Sequence, residues 1–293
     1  MAWSIAGKTV VITGATSGVG EAAAIALAKL GAHLVLVGRD AGRGAASLAK
    51  VKAASSAGVP AGEPQLLLAD LSSLAEVRKL AEQLRQLPRL DVLVNNAGAV
   101  FTTRQTTVDG FERTFALNHL AYFLLTELLR DKLVASAPAR IINVASEAHR
   151  SGKLDTGDLP GELKSPRDYS GLRAYATSKL CNLLFTRELA RRLAGTGVTA
   201  NAMHPGTVAT GFGRNNRGAI GIGIRLLSPF FRTPEQGAET IVYLAVDPAL
   251  EGVTGQYFAD LKPKTPANRA LSDADASKLW KVSEELTRAS GPP

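Results

Sequence analysis

The chain has 293 residues, of which 45% are hydrophobic, a length and composition that can bury one large core or two modest ones. Its single cysteine, Cys181, excludes an internal disulfide framework and any cysteine-rich metal site. The N-terminus has no basic region followed by a long apolar stretch, and no window reaches the ~18 uncharged apolar residues that a membrane span needs. We therefore expect a soluble, cytoplasmic protein without a membrane span.

The net charge of +8 is concentrated in one part of the chain. Between Leu189 and Pro234 there is no Asp or Glu, whereas that stretch contains Arg191, Arg192, Arg214, Arg217, Arg225 and Arg232. Aromatic residues do not interleave with these arginines, as a stacking platform for single-stranded nucleic acid would require. We therefore expect no nucleic-acid partner and interpret the stretch as a solvated or anion-facing surface.

In chain order, six short apolar runs are predicted as strands, namely KTVVIT, HLVLVG, QLLLA, DVLVNN, RIINVAS and GVTANAMH. They are continuously apolar rather than alternating, as expected for strands that helices cover on both faces. Between them, VGEAAAIALAKLGA and LAEVRKLAEQLRQ have apolar residues at helical spacing, and the first ends at Gly31, which suits a helix C-cap. The pattern predicts an α/β fold, a doubly wound parallel sheet forming a single domain over residues 1–293.

Two segments interrupt this alternation, and a further stretch is predicted as a surface loop. The small residues of AASSAGVPAGEP, from Ala53, predict a surface loop rather than a domain linker. Glu147 to Leu172 and Gly211 to Pro234 follow the carboxyl ends of the fifth and sixth strands, where open α/β sheets bind ligands, so we expect them to form substrate walls. Within the second, Gly211 to Phe231 combines glycines, apolar clusters and no acid, and predicts a mobile lid over an apolar substrate; a fixed amphipathic helix is the alternative.

The first predicted strand runs into a glycine-rich loop in VVITGATSGVG, where Gly14, Gly18 and Gly20 precede a helix. A strand, a glycine-rich turn and a helix in succession point backbone N–H groups and the positive helix end at an anion. The spacing is not that of a P-loop, and no lysine follows to meet a γ-phosphate. The loop therefore predicts a dinucleotide site, although tight packing of helix on strand also selects glycine.

The second predicted strand ends in VLVGRD, at the place where an acidic residue would bind the 2′-hydroxyl of an NAD ribose. Gly38 leaves that position without a carboxylate, and Arg39 supplies a charge suited to a 2′-phosphate. NADP(H) is therefore predicted over NAD(H). Arg43, one turn onward, is a second candidate contact, whereas the alternative makes Arg39 a surface residue and Asp40 a helix cap.

The segment YATSK places Tyr175 and Lys179 four residues apart, so that on a helix the two side chains share one face. A phenol with a pKa near 10 is a poor base at neutral pH, but a neighbouring ammonium favours the phenolate. Ser146, at the end of the fifth strand, is placed to hydrogen-bond an oxygen that gains or loses charge. These residues predict proton transfer to or from a substrate oxygen.

These motifs together resemble the short-chain dehydrogenase/reductase family. The resemblance rests on TGATSGVG, NNAG at residues 95–98, Asn118, Ser146, YATSK and HPGTVAT, in family order, over residues 7 to about 260. LNHLAYFLLT, NVASEAH and GQYFAD are most similar to its retinol-dehydrogenase-like branch. The resemblance implies a Rossmann-like fold and an NADP-dependent enzyme that interconverts an alcohol with its ketone or aldehyde.

The resemblance also implies a role for each site residue. Tyr175 is the general acid/base, Lys179 lowers the pKa of Tyr175 and binds the nicotinamide ribose, Ser146 orients the carbonyl or alcohol, and Asn118 holds a water through which Lys179 exchanges protons. The implied cofactor contacts are the phosphate turn of Gly14, Ser17, Gly18, Val19 and Gly20; Arg39; Asp70 and Leu71 at the adenine; Asn95, Ala97 and Gly98 at the cofactor floor; and Pro205, Gly206, Val208 and Thr210 at the carboxamide.

One residue departs from the family pattern, and rival functions stay open. Many NADP-preferring members have a basic residue where this chain has Ser17, so Arg39 must make most of the discrimination. His149 and His204 are interpreted as structural or pocket-lining, because no third metal ligand accompanies them. A non-catalytic NADP(H) sensor and a hydrolase using Ser146 are the rival functions. The expected partner is a small carbonyl or alcohol substrate; a homo-oligomer and peripheral contact with a lipid surface stay open.

Overall fold

The six predicted strands all form, and they lie in one sheet. The computed structural model describes residues 3–55, 62–155, 169–208 and 232–289. The sheet order is β3-β2-β1-β4-β5-β6, and every neighbouring pair in it is parallel. The order reverses between β1 and β4, and a ligand crevice forms at the carboxyl edge of such a switch point. The strands are β1 Thr9–Thr13, β2 His33–Gly38, β3 Gln65–Leu68, β4 Val92–Asn95, β5 Ala139–Val144 and β6 Val198–Met203.

Two further strands, which the sequence analysis missed, extend the sheet beyond β6. β7, Tyr257–Ala259, is parallel to β6, and β8, Lys262–Pro263, is antiparallel to β7. The hairpin between them turns through Asp260 and Leu261, whose φ angles are 54° and 62°. Two left-handed residues are typical of a type I′ hairpin turn. This turn lacks the usual Asn-Gly signal, and strands this short show no periodicity.

Helices cover both faces of the sheet, which confirms the predicted fold class. α1, α2 and α7 pack on one face, α3, α5 and α6 pack on the other, and α8 packs against α5 and α6. A π-helical turn, Ala116–Leu120, joins α4 to α5. The helices are α1 Gly18–Lys29, α2 Ala41–Ala54, α3 Leu74–Arg85, α4 Arg113–Phe115, α5 Ala121–Ala135, α6 Gly171–Arg192, α7 Pro234–Val246 and α8 Asp273–Ala289.

Neighbouring residues of one strand supply two different cores. Val10 and Ile12 of β1 are buried under α1 and α7, whereas Val11 between them is buried on the opposite face. Successive side chains of a strand point to opposite faces, so a strand covered on both sides must be apolar throughout. This arrangement explains why the predicted strands lack alternation.

The predicted ends and loops are only partly described. α1 ends at Lys29, and Gly31 follows it with a φ of 83° and an N–H that donates to the Ala28 carbonyl at 3.0 Å, as in a glycine C-cap. The predicted lid at 211–231 lies outside the described residues. So do parts of the surface loop from Ala53 and of the segment after Ser146.

Candidate active site

The glycine loop after β1 packs against the end of β4 with no room for larger residues. Gly14 and Gly18 have φ angles of 66° and 57°, the left-handed region that favours glycine. A Cβ on Gly14 would lie 2.8 Å from the Ala97 Cα, and one on Gly20 would lie 2.5 Å from the Gly14 carbonyl oxygen. Glycine at these positions therefore lets the loop pack closely, and it leaves the backbone there without a side chain.

The first turn of α1 fits an anion. Ser17 is the N-cap residue of α1, but its side chain makes no capping hydrogen bond. Side chains do cap other helices of the described chain: Asp40 on α2, Ser73 on α3, Ser170 on α6 and Thr233 on α7. Uncapped N–H groups at the positive end of a helix are the donors that a pyrophosphate accepts from. The loop of Gly14, Ser17, Gly18, Val19 and Gly20 thus suits a dinucleotide.

Two side chains that the sequence analysis did not assign brace this loop. Asn96 Nδ2 donates to the carbonyls of Thr13 and Gly14, at 2.8 and 3.2 Å. Thr13 Oγ1 accepts from the backbone N–H groups of Asn96 and Ala97, at 2.9 and 3.0 Å. Asn96 is the second asparagine of NNAG, and its presence in that motif is the sequence feature that could have predicted this contact.

The end of β2 has no space for an acidic side chain. A Cβ on Gly38 would lie 2.3 Å from the Thr16 Cγ2. Asp40 caps α2 by accepting from the Arg43 N–H at 2.8 Å and pairs with the Arg43 guanidinium at 3.5 Å, so both residues have partners within α2. Arg39 is exposed and lines a cavity of about 240 Å³ with Arg113. The other lining residues are Val100, Phe101, Thr102, Thr103 and Gln105.

Asp70, at the end of β3, faces the same region. Its Oδ1 accepts from the N–H and the hydroxyl of Ser72, at 3.0 and 2.7 Å, and its Oδ2 lies 3.9 Å from an Arg113 nitrogen. Burial opposes its ionisation, but the Ser72 hydrogen bonds and the charges of Arg113 and Arg39 outweigh burial, so its pKa is lowered. Leu71, by contrast, belongs to the core.

Asn95 lies at the end of β4 with its side chain turned into the protein. It is completely buried, and its Nδ2 donates to Thr126 Oγ1 at 3.0 Å and to Asn143 Oδ1 at 2.9 Å. Asn143 in turn donates to Thr186. The side chain of Asn95 thus joins neighbouring elements, and only the backbone at this position is left to line a cofactor floor.

Tyr175 and Lys179 share one face of α6, as predicted. The Lys179 Nζ lies 5.6 Å from the centre of the Tyr175 ring and donates to the Val144 carbonyl at 2.8 Å. Lys179 is 3% exposed, and burial lowers its pKa to about 7. At neutral pH the lysine is therefore close to the middle of its titration.

The pKa of Tyr175 is raised, not lowered as the sequence analysis expected. Burial raises it to about 12, against the opposing effect of a hydrogen bond with the Ser146 side chain. The expectation counted the positive charge of Lys179 but not the cost of burying both groups, which disfavours phenolate and ammonium alike. At neutral pH Tyr175 thus carries its proton and can donate it.

Asn118 and Gly98 complete the arrangement around Lys179. A Cβ on Gly98 would lie 3.2 Å from Asn118 Oδ1 and 3.4 Å from Lys179 Nζ. Asn118 lies on the π-helical turn. Its Oδ1 accepts from the Ala99 N–H at 2.9 Å, and its Nδ2 donates to the Ala99 carbonyl at 3.0 Å and also to the Ser178 hydroxyl. All four predicted tetrad residues therefore meet at the carboxyl edge of β4 and β5.

The segment after β6 forms a turn at the same edge. Gly206 has a φ of 78°, and its N–H donates to His204 Nδ1 at 3.0 Å. Val208 pairs with Arg232 in an isolated parallel bridge. Pro205 and Val208 meet Val19 of the glycine loop around Gly237, whereas Thr210 lies outside the described residues.

Comparisons with known proteins agree with this geometry. A family model described as short chain dehydrogenase matches residues 8–156, and one described as enoyl-(acyl carrier protein) reductase matches residues 162–259. Retinol dehydrogenase 14 of Mus musculus is 44% identical, with 96% of this chain and 86% of that protein covered. A Streptomyces protein named as a daunorubicin C-13 ketoreductase is also 44% identical, with 94% and 91% covered. The structure of a Pseudomonas aeruginosa RhlG/NADP complex superposes with a TM-score of 0.68 at 29% identity, covering 87% of this chain and 95% of that one.

Fold, site and relatives together define an oxidoreductase that binds a nicotinamide dinucleotide and acts on CH–OH groups. The chain belongs to the short-chain dehydrogenase/reductase family and is retinol-dehydrogenase-like within it. Among the helices that the structure describes, none combines the length and the apolar character needed to cross a bilayer.

Proposed function

We propose that this protein is an NADP(H)-dependent enzyme that interconverts an apolar alcohol with its ketone or aldehyde. The observation that carries the proposal is the meeting of Tyr175, Lys179 and Ser146 at one edge of the sheet, beside an uncapped helix N-terminus. A bound dinucleotide would supply the hydride donor or acceptor.

Each residue of the site has a distinct task in this proposal. Tyr175 gives the proton on its Oη to the carbonyl oxygen in reduction, and in oxidation its deprotonated form takes the proton from the alcohol. Ser146, which is hydrogen-bonded to Tyr175, orients the same substrate oxygen. Lys179 returns the proton to Tyr175, for which a pKa of about 7 is well matched.

Cofactor preference is assigned to the surroundings of Arg39. Among the described residues no carboxylate lines the cavity that Arg39 shares with Arg113, although Asp70 lies 3.9 Å from Arg113, and Gly38 has no space for one. Two guanidinium groups and the hydroxyls of Thr102 and Thr103 suit an anionic group such as a 2′-phosphate. The RhlG structure, which is named as an NADP complex, supports the same preference.

The names of two relatives support an apolar substrate. They are a retinol dehydrogenase and a daunorubicin ketoreductase, each 44% identical to this chain. Both names denote large molecules with extensive apolar surface and a single reacting carbon-oxygen group. We propose a substrate of this size and character, such as a long-chain isoprenoid aldehyde or a polycyclic ketone.

A substrate screen tests the proposal. NADPH oxidation would be followed by absorbance against aldehydes and ketones of increasing apolar size, with Tyr175→Phe as the matched control. We expect turnover with large apolar carbonyls that the variant does not reproduce. Tight NADPH binding without turnover above the variant for any compound would contradict catalysis and favour a dinucleotide sensor.

A further inference from the structure

His149 joins the proposed catalytic serine to the segment that follows the sheet. It lies in the 3-10 helix Glu147–Ser151, directly after Ser146, and is completely buried. Its Nδ1 lies 2.7 Å from the Ser146 carbonyl oxygen. Its Nε2 accepts from the backbone N–H of Ala267 at 3.1 Å, between β8 and α8.

These two contacts define one tautomer of the ring. A carbonyl oxygen only accepts, so Nδ1 must carry a hydrogen, and a backbone N–H only donates, so Nε2 must be bare. A protonated ring would lose the bond to Ala267. Burial lowers the pKa of His149, which keeps the ring neutral at neutral pH.

We propose that His149 is a positioning residue for Ser146, acting through the hydrogen bond from its Nδ1 to the Ser146 carbonyl. This role rests on the proposed function, in which Ser146 orients the substrate oxygen. The Ser146 carbonyl accepts both the His149 backbone N–H, at 3.1 Å, and the Nδ1 hydrogen. Together they fix the peptide that leaves Ser146 and hence the direction of its side chain.

The surroundings hold the ring of His149 in place. The Tyr257 ring meets it edge-on, with centroids 5.2 Å apart, and the Tyr257 hydroxyl donates to Glu147 Oε2 at 3.1 Å. His204 Nε2 lies 3.6 Å from the same carboxylate oxygen. Arg150 also binds Glu147 and donates to the Thr265 carbonyl at 3.0 Å. The Tyr257 ring that packs on His149 is thus itself held by a hydrogen bond to Glu147, a residue with further partners.

Three substitutions separate the two bonds of His149. Asparagine places an amide near the position of Nδ1, so His149→Asn can keep the bond to Ser146 and loses the bond to Ala267. Glutamine reaches the position of Nε2, so His149→Gln can keep the bond to Ala267 alone. His149→Leu keeps neither, and His33→Gln, on β2 away from the site, controls for loss of a histidine.

Steady-state kinetics of these variants test the proposal. We expect kcat to fall ~3- to 10-fold in His149→Gln and His149→Leu, the value of one net hydrogen bond, and His149→Asn to recover most of it. KM and the NADPH dissociation constant should change less than about twofold, because the ring is completely buried and both its nitrogens contact protein backbone. Nitrogen NMR of histidine-labelled protein should show one Nδ1-protonated neutral ring, absent from all three His149 variants.

Several results would overturn the role. Equal losses of kcat in all three variants, in parallel with their thermal stability, would make His149 a packing residue only. Full activity in His149→Gln, or an Nε2-protonated ring, would equally exclude the bond to Ser146. A parent enzyme without turnover would remove the proposed function itself, whereas an active parent with variants of equal activity would remove this role alone.

Discussion

At the scale of single residues, burial sets the proton positions in this site. Tyr175 has a pKa of about 12 and Lys179 a pKa of about 7, so at neutral pH the phenol holds its proton and the lysine exchanges one readily. The sequence identified both residues from their spacing. It could not give the direction of the Tyr175 shift, because that depends on how far both side chains are removed from water.

The buried lysine should cost stability in a pH-dependent way. Its pKa is about 7 in the folded chain against 10.5 unperturbed, so between these pH values the unfolded chain binds more protons and stability rises with pH. Lys179→Met should therefore raise the thermal unfolding midpoint at pH 7, and the gain should shrink by pH 10, while turnover is lost. The exposed Lys79→Met is the control. An equal rise of the unfolding midpoint at pH 7 and at pH 10 would show that folding does not lower the pKa of Lys179.

Arg39 should determine the preference for NADPH. Arg39→Ala should reduce the difference in binding free energy between NADPH and NADH by ~1.5 to 3 kcal/mol, the value of a hydrogen bond to a charged group. Titration by fluorescence with both dinucleotides measures it. Arg43→Ala is the matched control, because that guanidinium already pairs with Asp40. Equal binding of NADH and NADPH by the parent would refute the preference.

At the scale of elements, α8 anchors the helices that carry the site. Trp280 of α8 is 1% exposed, stacks on Phe185 of α6 with centroids 5.7 Å apart and meets Phe123 of α5 at 5.0 Å. The Arg192 guanidinium lies 4.2 Å from the centre of its ring. α8 was not predicted from the sequence, because the family motifs end near residue 260.

Removing this anchor should destabilise the fold. Trp280→Ala deletes a large buried ring and should lower the free energy of unfolding by ~3 to 5 kcal/mol. Trp280→Phe, which keeps an aromatic ring against Phe185, should lose much less. Chemical denaturation measures both differences. Equal and small losses would mean that α8 contributes little to the stability of α6.

At the scale of the whole molecule, the sequence predicted what depends on local pattern. The six apolar runs became β1 to β6, and the glycine loop follows β1 as expected. β7 and β8 were missed because three and two residues carry no periodicity, and their place in the sheet depends on pairing with β6. The link from His149 to Ala267 was likewise beyond reach, because it joins residues 118 positions apart.

The central claim, that Tyr175 supplies the proton, is tested most directly by Tyr175→Phe. The substitution removes one oxygen from a ring that should stay packed, so the fold and NADPH affinity should be retained. General acid catalysis is typically worth ~10²- to 10⁴-fold, so kcat for carbonyl reduction should fall at least ~10²-fold at an unchanged NADPH dissociation constant. A variant that binds NADPH and still reduces its substrate within about threefold of the parent rate would contradict the mechanism, since so small a loss is below any general acid contribution.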